Sequence, residues 1–430
     1  MTVRTVSPSP ARLSRHGDFR LLWIGQSSSR FGSAITAVAL PLVAVGTLDA
    51  STMQIALLQA AVWLPWLLIG LPVGVWVDRL PRRSTMITCD VIALLLFVSV
   101  PTAAWLHALT IEQLLVVALL AGTTTVFFET AYQVYLPSLL HGARLTEGNA
   151  KLQGSEAVAH VAGPGAAGLI AQLLGAVAGL LADALSFLVS AACLLTMNHR
   201  EPRESSSAPR TAILRDITEG LTFLAHDPYL RVMAAFGAAA NLALIGYQAI
   251  WITFLVRENG ISPGTVGVIV AAMGAGGVIG ALIATTVARH LGTARGMLIC
   301  QTGTAPFALL LPLAGPGARL SLAVVGGIAV STGVVASNII KNSFRQIYTP
   351  RHLLSRVITS MQLINYGAIP IGALLGGFLG TVLGLRPAIW LMATALVLST
   401  GIQLIGPLRH HRDLPTTPAA DPRLALTARE

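Results

Sequence analysis

The chain has 430 residues, 54% of them hydrophobic and only 11% charged, with a net charge of +10 and a mean hydropathy of +0.72. A soluble domain carries about 25% charged residues, so a soluble globular fold is excluded, and the apolar runs are too long for barrel strands. Such runs are stable in a bilayer only as helices, which pair every backbone amide internally; the fold class is an all-α membrane protein.

A bilayer core of about 30 Å takes about 20 apolar residues per helix. Residues 1–18 are polar, lack the apolar core and cleavage site of a signal peptide, and read as a cytoplasmic tail. Six spans follow, at 19–47, 53–77, 84–106, 112–138, 149–172 and 174–197, making an N-terminal bundle over 19–198. Residues 199–228 read as a cytoplasmic linker. Within it Ile213, Ile217, Leu221 and Leu224 share one face, which predicts a short helix lying on the membrane surface. Six more spans, at 229–256, 264–288, 295–315, 319–345, 356–383 and 386–407, make a C-terminal bundle over 229–408. The tail, 409–430, is rich in Pro, Ala and Thr and is expected to be disordered.

With both termini cytoplasmic, all but four of the 28 Lys and Arg residues fall in the tails, the cytoplasmic loops or the cytoplasmic helix ends. The four are Arg30, inside the first span, and Arg257, Arg319 and Arg386 in outer loops. That is the positive-inside pattern, so the basicity reports topology and contact with anionic lipid headgroups, not nucleic-acid binding. Only Lys151 and Lys341 are lysines, and the Arg bias points to a GC-rich bacterial genome and the bacterial inner membrane.

Six plus six spans is the arithmetic of two parallel halves related along the membrane normal. Segments recur to match: Asp18-Phe19-Arg20-Leu21 with Pro228-Tyr229-Leu230-Arg231, Val77-Asp78-Arg79 with Val287-Ala288-Arg289, and Gly163-Pro164-Gly165 with Ile369-Pro370-Ile371, at offsets of 210, 210 and 206 residues. The expected architecture is two pseudo-symmetric six-helix bundles. Cys89, Cys193 and Cys300 stand in separate apolar runs without metal-ligand spacing, and no phosphate-binding glycine loop occurs. No cofactor, metal or direct use of ATP is expected, which leaves ion gradients.

Two motifs carry a family resemblance. Gly74-Val75-Trp76-Val77-Asp78-Arg79-Leu80-Pro81-Arg82-Arg83 resembles motif A of the major facilitator superfamily, with Pro81 where that pattern has Gly. Asp78 can accept hydrogen bonds from helix N-termini or Arg, and Arg79, Arg82 and Arg83 hold the loop on the cytoplasmic side. In span five, Ala150, Ala159, Gly163, Pro164, Ala167 and Gly168 resemble motif C of the superfamily's exporters, with Ala for Gly at three positions. Phe19-Arg20-Leu21-Leu22-Trp23-Ile24-Gly25-Gln26, Tyr135-Leu136-Pro137-Ser138-Leu139 and Asp183-Ala184-Leu185-Ser186-Phe187 are similar to the macrolide-efflux and transmembrane-secretion-effector branch. The resemblance covers about residues 15–408. It implies the major facilitator fold, alternating access and exchange of a small-molecule substrate against protons; a monomer is expected.

An ionisable residue inside a span costs about 2.5–3.5 kcal/mol at the helix centre and marks function. At 1.5 Å per residue, Arg30 lies about 16 Å and Glu129 about 14 Å from the cytoplasmic helix ends. The matching depths predict that they face one another, Glu129 as a proton site and Arg30 as its competing partner; a purely structural ion pair is the alternative. Gln26, Tyr132 and Gln133 add polar groups on the same side, and Asn241, Gln248, Trp251, Asn338 and Lys341 are expected to line the C-terminal half of the cavity. Glu156 and His160, one turn apart, are a second relay candidate, and Asp90 is expected to pair with loop bases. The lead reading is a proton-coupled exporter of a drug-like molecule. A nutrient importer and a non-transporting receptor or scaffold are the competing readings, and a cavity filled by large apolar side chains would favour the last.

Overall fold

A computed structural model describes residues 17–77, 79–140, 143–198 and 210–416. Among the described residues twelve helices are long and apolar enough to cross a membrane. In the first half these are α1 (Gly17–Gly46), α2 (Thr52–Val77), α3 (Arg82–Trp105), α4 (Ile111–Leu139), α5 (Ala143–Leu174) and α6 (Ala176–Thr196). A further helix, α7 (Arg210–His226), precedes the second half: α8 (Pro228–Thr253), α9 (Pro263–Leu291), α10 (Thr293–Thr304), α11 (Leu320–Tyr348), α12 (Arg351–Val382) and α13 (Leu385–Ile405). A π-helical turn, Phe254–Glu258, extends α8, and a 3-10 stretch, Ala305–Leu313, extends α10 where Pro306 and Pro312 interrupt the α-helical ladder.

The helix contacts repeat. In the first half α1 packs on α5 and α6, and α2 and α3 pack on α4; in the second half α8 packs on α12 and α13, and α9 and α10 pack on α11. Between halves the main packing is α2 on α12 and α5 on α9. Exchanging the halves turns the first of these pairs into the second, the signature of parallel repeats about a two-fold axis along the bundle.

All twelve spans alternate in direction, so Gly17 and residue 416 share one face, called the basic face here. Buried apolar residues toward the other, opposite face form one continuous core that includes Val43, Ala167, Tyr247 and Val266 and so crosses both halves. Toward the basic face they form two separate cores, one around Phe19, Met86 and Tyr135 and one around Leu230, Phe344 and Tyr348. The halves are therefore joined at the opposite face and separate at the basic face.

The join uses small residues, which let backbones approach closely. Gly168 of α5 lies against Gly267 of α9, and Gly377 and Gly380 of α12 lie against Ala56 and Thr52 of α2. Among the described residues one ion pair crosses the join, Arg257 Nη2 to Asp49 Oδ1 at 2.6 Å. Asp49 sits in the α1–α2 turn at φ 46°, a left-handed conformation that Asp tolerates, and its side chain is 95% exposed. Exposed pairs contribute about 0.2–1 kcal/mol. Asp49→Asn is thus expected to favour opening of the opposite face by at most about fivefold. The rate of thiol labelling from that face at Gln59→Cys, in the larger chamber described below, reads this directly; a tenfold rise would contradict it.

Two sequence expectations change. Residues 409–416, assigned to a disordered tail, are held against α10: Arg412 O accepts from the Ala294 and Arg295 amides, and Asp413 Oδ1 accepts from the Thr293 amide at 3.0 Å. The free amides at a helix start need acceptors, a demand that the tail's composition does not reveal. The second change concerns Asp90, which is buried against Ser190 of α6 rather than beside the loop bases. Arg83 instead donates to Leu194 O and Leu195 O at 2.9 and 3.0 Å. Helix α7 packs on α12, with Gly220 against the Arg356 carbonyl and Glu219 paired with Arg356.

Candidate functional site

Two chambers lie between the halves. The smaller, about 630 Å³, reaches toward the basic face past Leu136 and Pro137 of α4 and Leu145 and Asn149 of α5. The larger, about 1160 Å³, lies between α1, α2 and α5 of one half and α8, α9 and α11 of the other, with a mainly aliphatic wall. Large apolar side chains do not fill this space.

Arg30, Gln153 and Glu156 line both chambers and so mark their boundary. Arg30 Nη2 stands 2.6 Å from Glu129 Oε1, a charge-assisted contact. The α1 and α4 backbones bring the two side chains to one level, as the equal depths predict. Both remain partly exposed, 33% for Arg30 and 18% for Glu129, and both line the smaller chamber, so the pair faces the chamber and not lipid. A second carboxylate, Glu156 of α5, stands 3.9 Å from Arg30 Nη1 and 3.9 Å from His160 Nε2, beyond hydrogen-bonding distance. Asp183, the other acid near this level of α1, is committed to structure: it accepts from Thr36 at 2.6 Å and Ser186 at 2.9 Å.

Gln26, Tyr132 and Gln133 line the smaller chamber, and Gln248 and Trp251 line the larger. Asn241, Asn338 and Lys341 line neither. Asn241 donates to Asn365 O of α12 at 3.3 Å, inside the second half. Asn338 and Lys341 continue, at i+7 and i+10, the stripe that Ser331 (i) and Val334 (i+3) begin on α11 but lie about where the chamber ends, at Ile339, and beyond. A helical stripe fixes direction and leaves open where a cavity stops.

Sequence reasoning missed an aromatic cluster. Trp63 and Trp66 of α2 meet Tyr366 of α12, with ring centroids 5.8 and 5.6 Å apart, and all three line the smaller chamber. The available signal was position: Trp in a span concentrates at the membrane interfaces, and these two stand near the middle of α2. In the motif A segment a Cβ at Gly74 of α2 would meet no neighbour within 4 Å, Arg79 is exposed in the turn, and Arg82 opens α3; Asp78 lies outside the described residues. The motif C residues face two helices. Gly163 packs on Ala34 of α1, while Gly168 and the Pro164 carbonyl pack on Gly267 of α9.

Residues 9–428 match the family model described as transmembrane secretion effector. The chain belongs to this family. Its members are transporters of the major facilitator superfamily, and the chain is accordingly a multi-pass membrane transporter and not an enzyme. The multidrug efflux pump Tap of Mycolicibacterium fortuitum is 26% identical over 404 residues, 91% of this chain and 95% of that protein. In fold, the chain is similar to a mutant of the nucleoside transporter NupG, at TM-score 0.77 and 12% identity over 90% of this chain and 99% of that one. It is also similar to a bacterial homologue of the iron transporter ferroportin in its inward-facing state, at TM-score 0.72 and 16% identity over 91% of this chain and 99% of that one.

Proposed function

We propose that this family member is a proton-coupled exporter of drug-like small molecules, working by alternating access in the bacterial plasma membrane as a monomer. The observation that carries the reading is the Arg30–Glu129 pair, with Arg30 lining both chambers and Glu129 the smaller, in a molecule whose halves join at one face only. A carboxylate binds a proton more readily when a neighbouring cation moves away and releases it when the cation returns. Movement of Arg30 between Glu129 and Glu156 would load and unload a proton in this way, with Tyr132 and His160 as the other titratable neighbours.

With the basic face cytoplasmic by the positive-inside rule, the arrangement described is the inward-open one. Closing the basic face and parting Gly168 from Gly267 would expose the same chambers to the other side. Export, as against import, is supported by the motif C segment and by the similarity to a protein named as a multidrug efflux pump.

Transport into inverted membrane vesicles, across a panel of cationic, neutral and anionic compounds, tests this. Acid-inside vesicles carrying the protein are expected to accumulate at least one compound and to lose the accumulation when the pH gradient is collapsed. Accumulation that ignores the gradient, or that occurs only in right-side-out vesicles, would overturn the reading.

A further inference from the structure

The chain after α13 turns back onto the second half and is pinned there at two points. Leu408 and Leu414 are buried in the core around Leu230, Phe344 and Tyr348. Between them Arg409, His410, His411 and Arg412 are exposed. The segment crosses the turn between α9 and α10. Arg412 O accepts from the Ala294 and Arg295 amides at 3.1 and 3.3 Å, and the Leu414 amide donates to Thr293 Oγ1 at 2.8 Å. The Tyr229 hydroxyl lies 3.0 Å from His411 Nε2. Gly292, at φ 88°, is the floor under the segment, and a Cβ there would collide with the Arg412 carbonyl.

This docking gathers cations that are far apart in the sequence. Arg289 stands in the last turn of α9 and Arg295 in the first turn of α10, both exposed, on either side of the glycine that Arg412 covers. Arg409 donates to His410 Nε2 at 2.9 Å, a contact that leaves its charge uncompensated. Asp413, the carboxylate beside these groups, is taken up by the Thr293 amide at 3.0 Å. Among the described residues none of the four arginines forms an ion pair. The positive-inside rule counts charges in loops and asks nothing of their arrangement; here the tertiary structure sets two segments of chain around one turn.

The cations stand where the lipid-facing surface ends. Leu291, just before Gly292, and Ile405, at the end of α13, are exposed, Ile405 at 83%, and Ile299 continues the exposed apolar surface along α10. Free phosphate would use the cations and leave these side chains untouched. A phospholipid with an anionic headgroup suits both: arginine binds phosphate oxygens through paired N–H groups, basic residues next to a span attract anionic headgroups, and acyl chains cover the aliphatic groups.

We infer that the docked segment and the α9–α10 turn form a binding site for the headgroup of one anionic phospholipid in the leaflet at the basic face, with its acyl chains along Leu291, Ile299 and Ile405. The site lies outside both chambers and is independent of what the protein transports.

Native mass spectrometry of the purified full-length chain in detergent, titrated with phosphatidylglycerol or with phosphatidylcholine of the same acyl chains, tests the inference. The unaltered protein is expected to hold one phosphatidylglycerol at least about tenfold more tightly than phosphatidylcholine. Arg409→Gln with Arg412→Gln should remove that preference, and Arg409→Lys with Arg412→Lys should keep most of it. Gly292→Ala leaves every charge in place but displaces the Arg412 carbonyl, and should also weaken phosphatidylglycerol binding. Arg20→Gln with Arg144→Gln removes two exposed arginines from the basic face of the first half and should leave the tight site unchanged. An equal loss in that pair would mean diffuse attraction by the whole basic face and would overturn the inference. So would an unchanged preference in the Arg409 and Arg412 glutamine variant or in Gly292→Ala, or glycerol phosphate that binds as tightly as the lipid.

Discussion

Glu129→Gln is expected to abolish gradient-driven accumulation while leaving exchange of ligand across the membrane intact. A one-unit pH gradient supplies about 1.36 kcal/mol per proton, so each proton exchanged sustains up to about tenfold accumulation of ligand. Glutamine keeps the size of Glu129 and can still accept a hydrogen bond from Arg30, but it cannot titrate. In vesicles at equal pH, counterflow of labelled against unlabelled ligand should therefore persist, because the chambers and the join between halves are untouched. With the pH gradient applied, the accumulation ratio should drop to about one. A Gln variant that still concentrates ligand about tenfold under the gradient would move the proton site elsewhere, with Glu156 and His160 the next candidates.

Gly168→Ala should disable transport although alanine favours helix formation by about 1 kcal/mol over glycine. A Cβ at residue 168 would lie 2.7 Å from Gly267 Cα and 2.7 Å from Pro263 O, and 3.0 Å from the Gly267 amide nitrogen. These are backbone atoms of the opposing half and cannot swing aside as a side chain would. Overpacking of this kind costs about 1–3 kcal/mol, and α5 and α9 can relieve it by parting. The predicted result is a folded protein in which the population joined at the opposite face falls about 5–150-fold. Gly165→Ala is the matched control on the same helix, because its Cβ would meet only Ala271 Cβ at 3.8 Å, an ordinary contact. Thiol labelling at Gln59→Cys from the opposite face should rise strongly in the Gly168 variant and stay unchanged in the Gly165 variant. Equal behaviour of the two would mean that the α5–α9 contact does not govern opening.

The sequence by itself determined the span count, the parallel duplication and the partnership of Arg30 with Glu129. Each follows from a local or one-dimensional quantity. The bilayer demands about 20 apolar residues per helix, and a rise of 1.5 Å per residue converts position into depth. An Arg and a Glu at equal depth in a medium hostile to single charges will meet if their helices are neighbours. Which direction a side chain takes around its helix was a different matter. In a water-soluble helix an apolar stripe marks the buried face, but α2 is apolar on every side, so nothing in its sequence says that Trp63 and Trp66 turn toward Tyr366. The same ambiguity put Asn241 in a cavity that it does not line, whereas Asn338 and Lys341 share the chamber's stripe of α11 but lie about where the chamber ends and beyond. Only the tertiary structure decided where the chambers end, that Glu156 and not His160 stands at their boundary, and that the start of the C-terminal tail caps α10. Those outcomes depend on how two six-helix bundles lean on one another, an arrangement set by Gly168, Gly267, Gly377 and Ala56 acting together across hundreds of residues of chain.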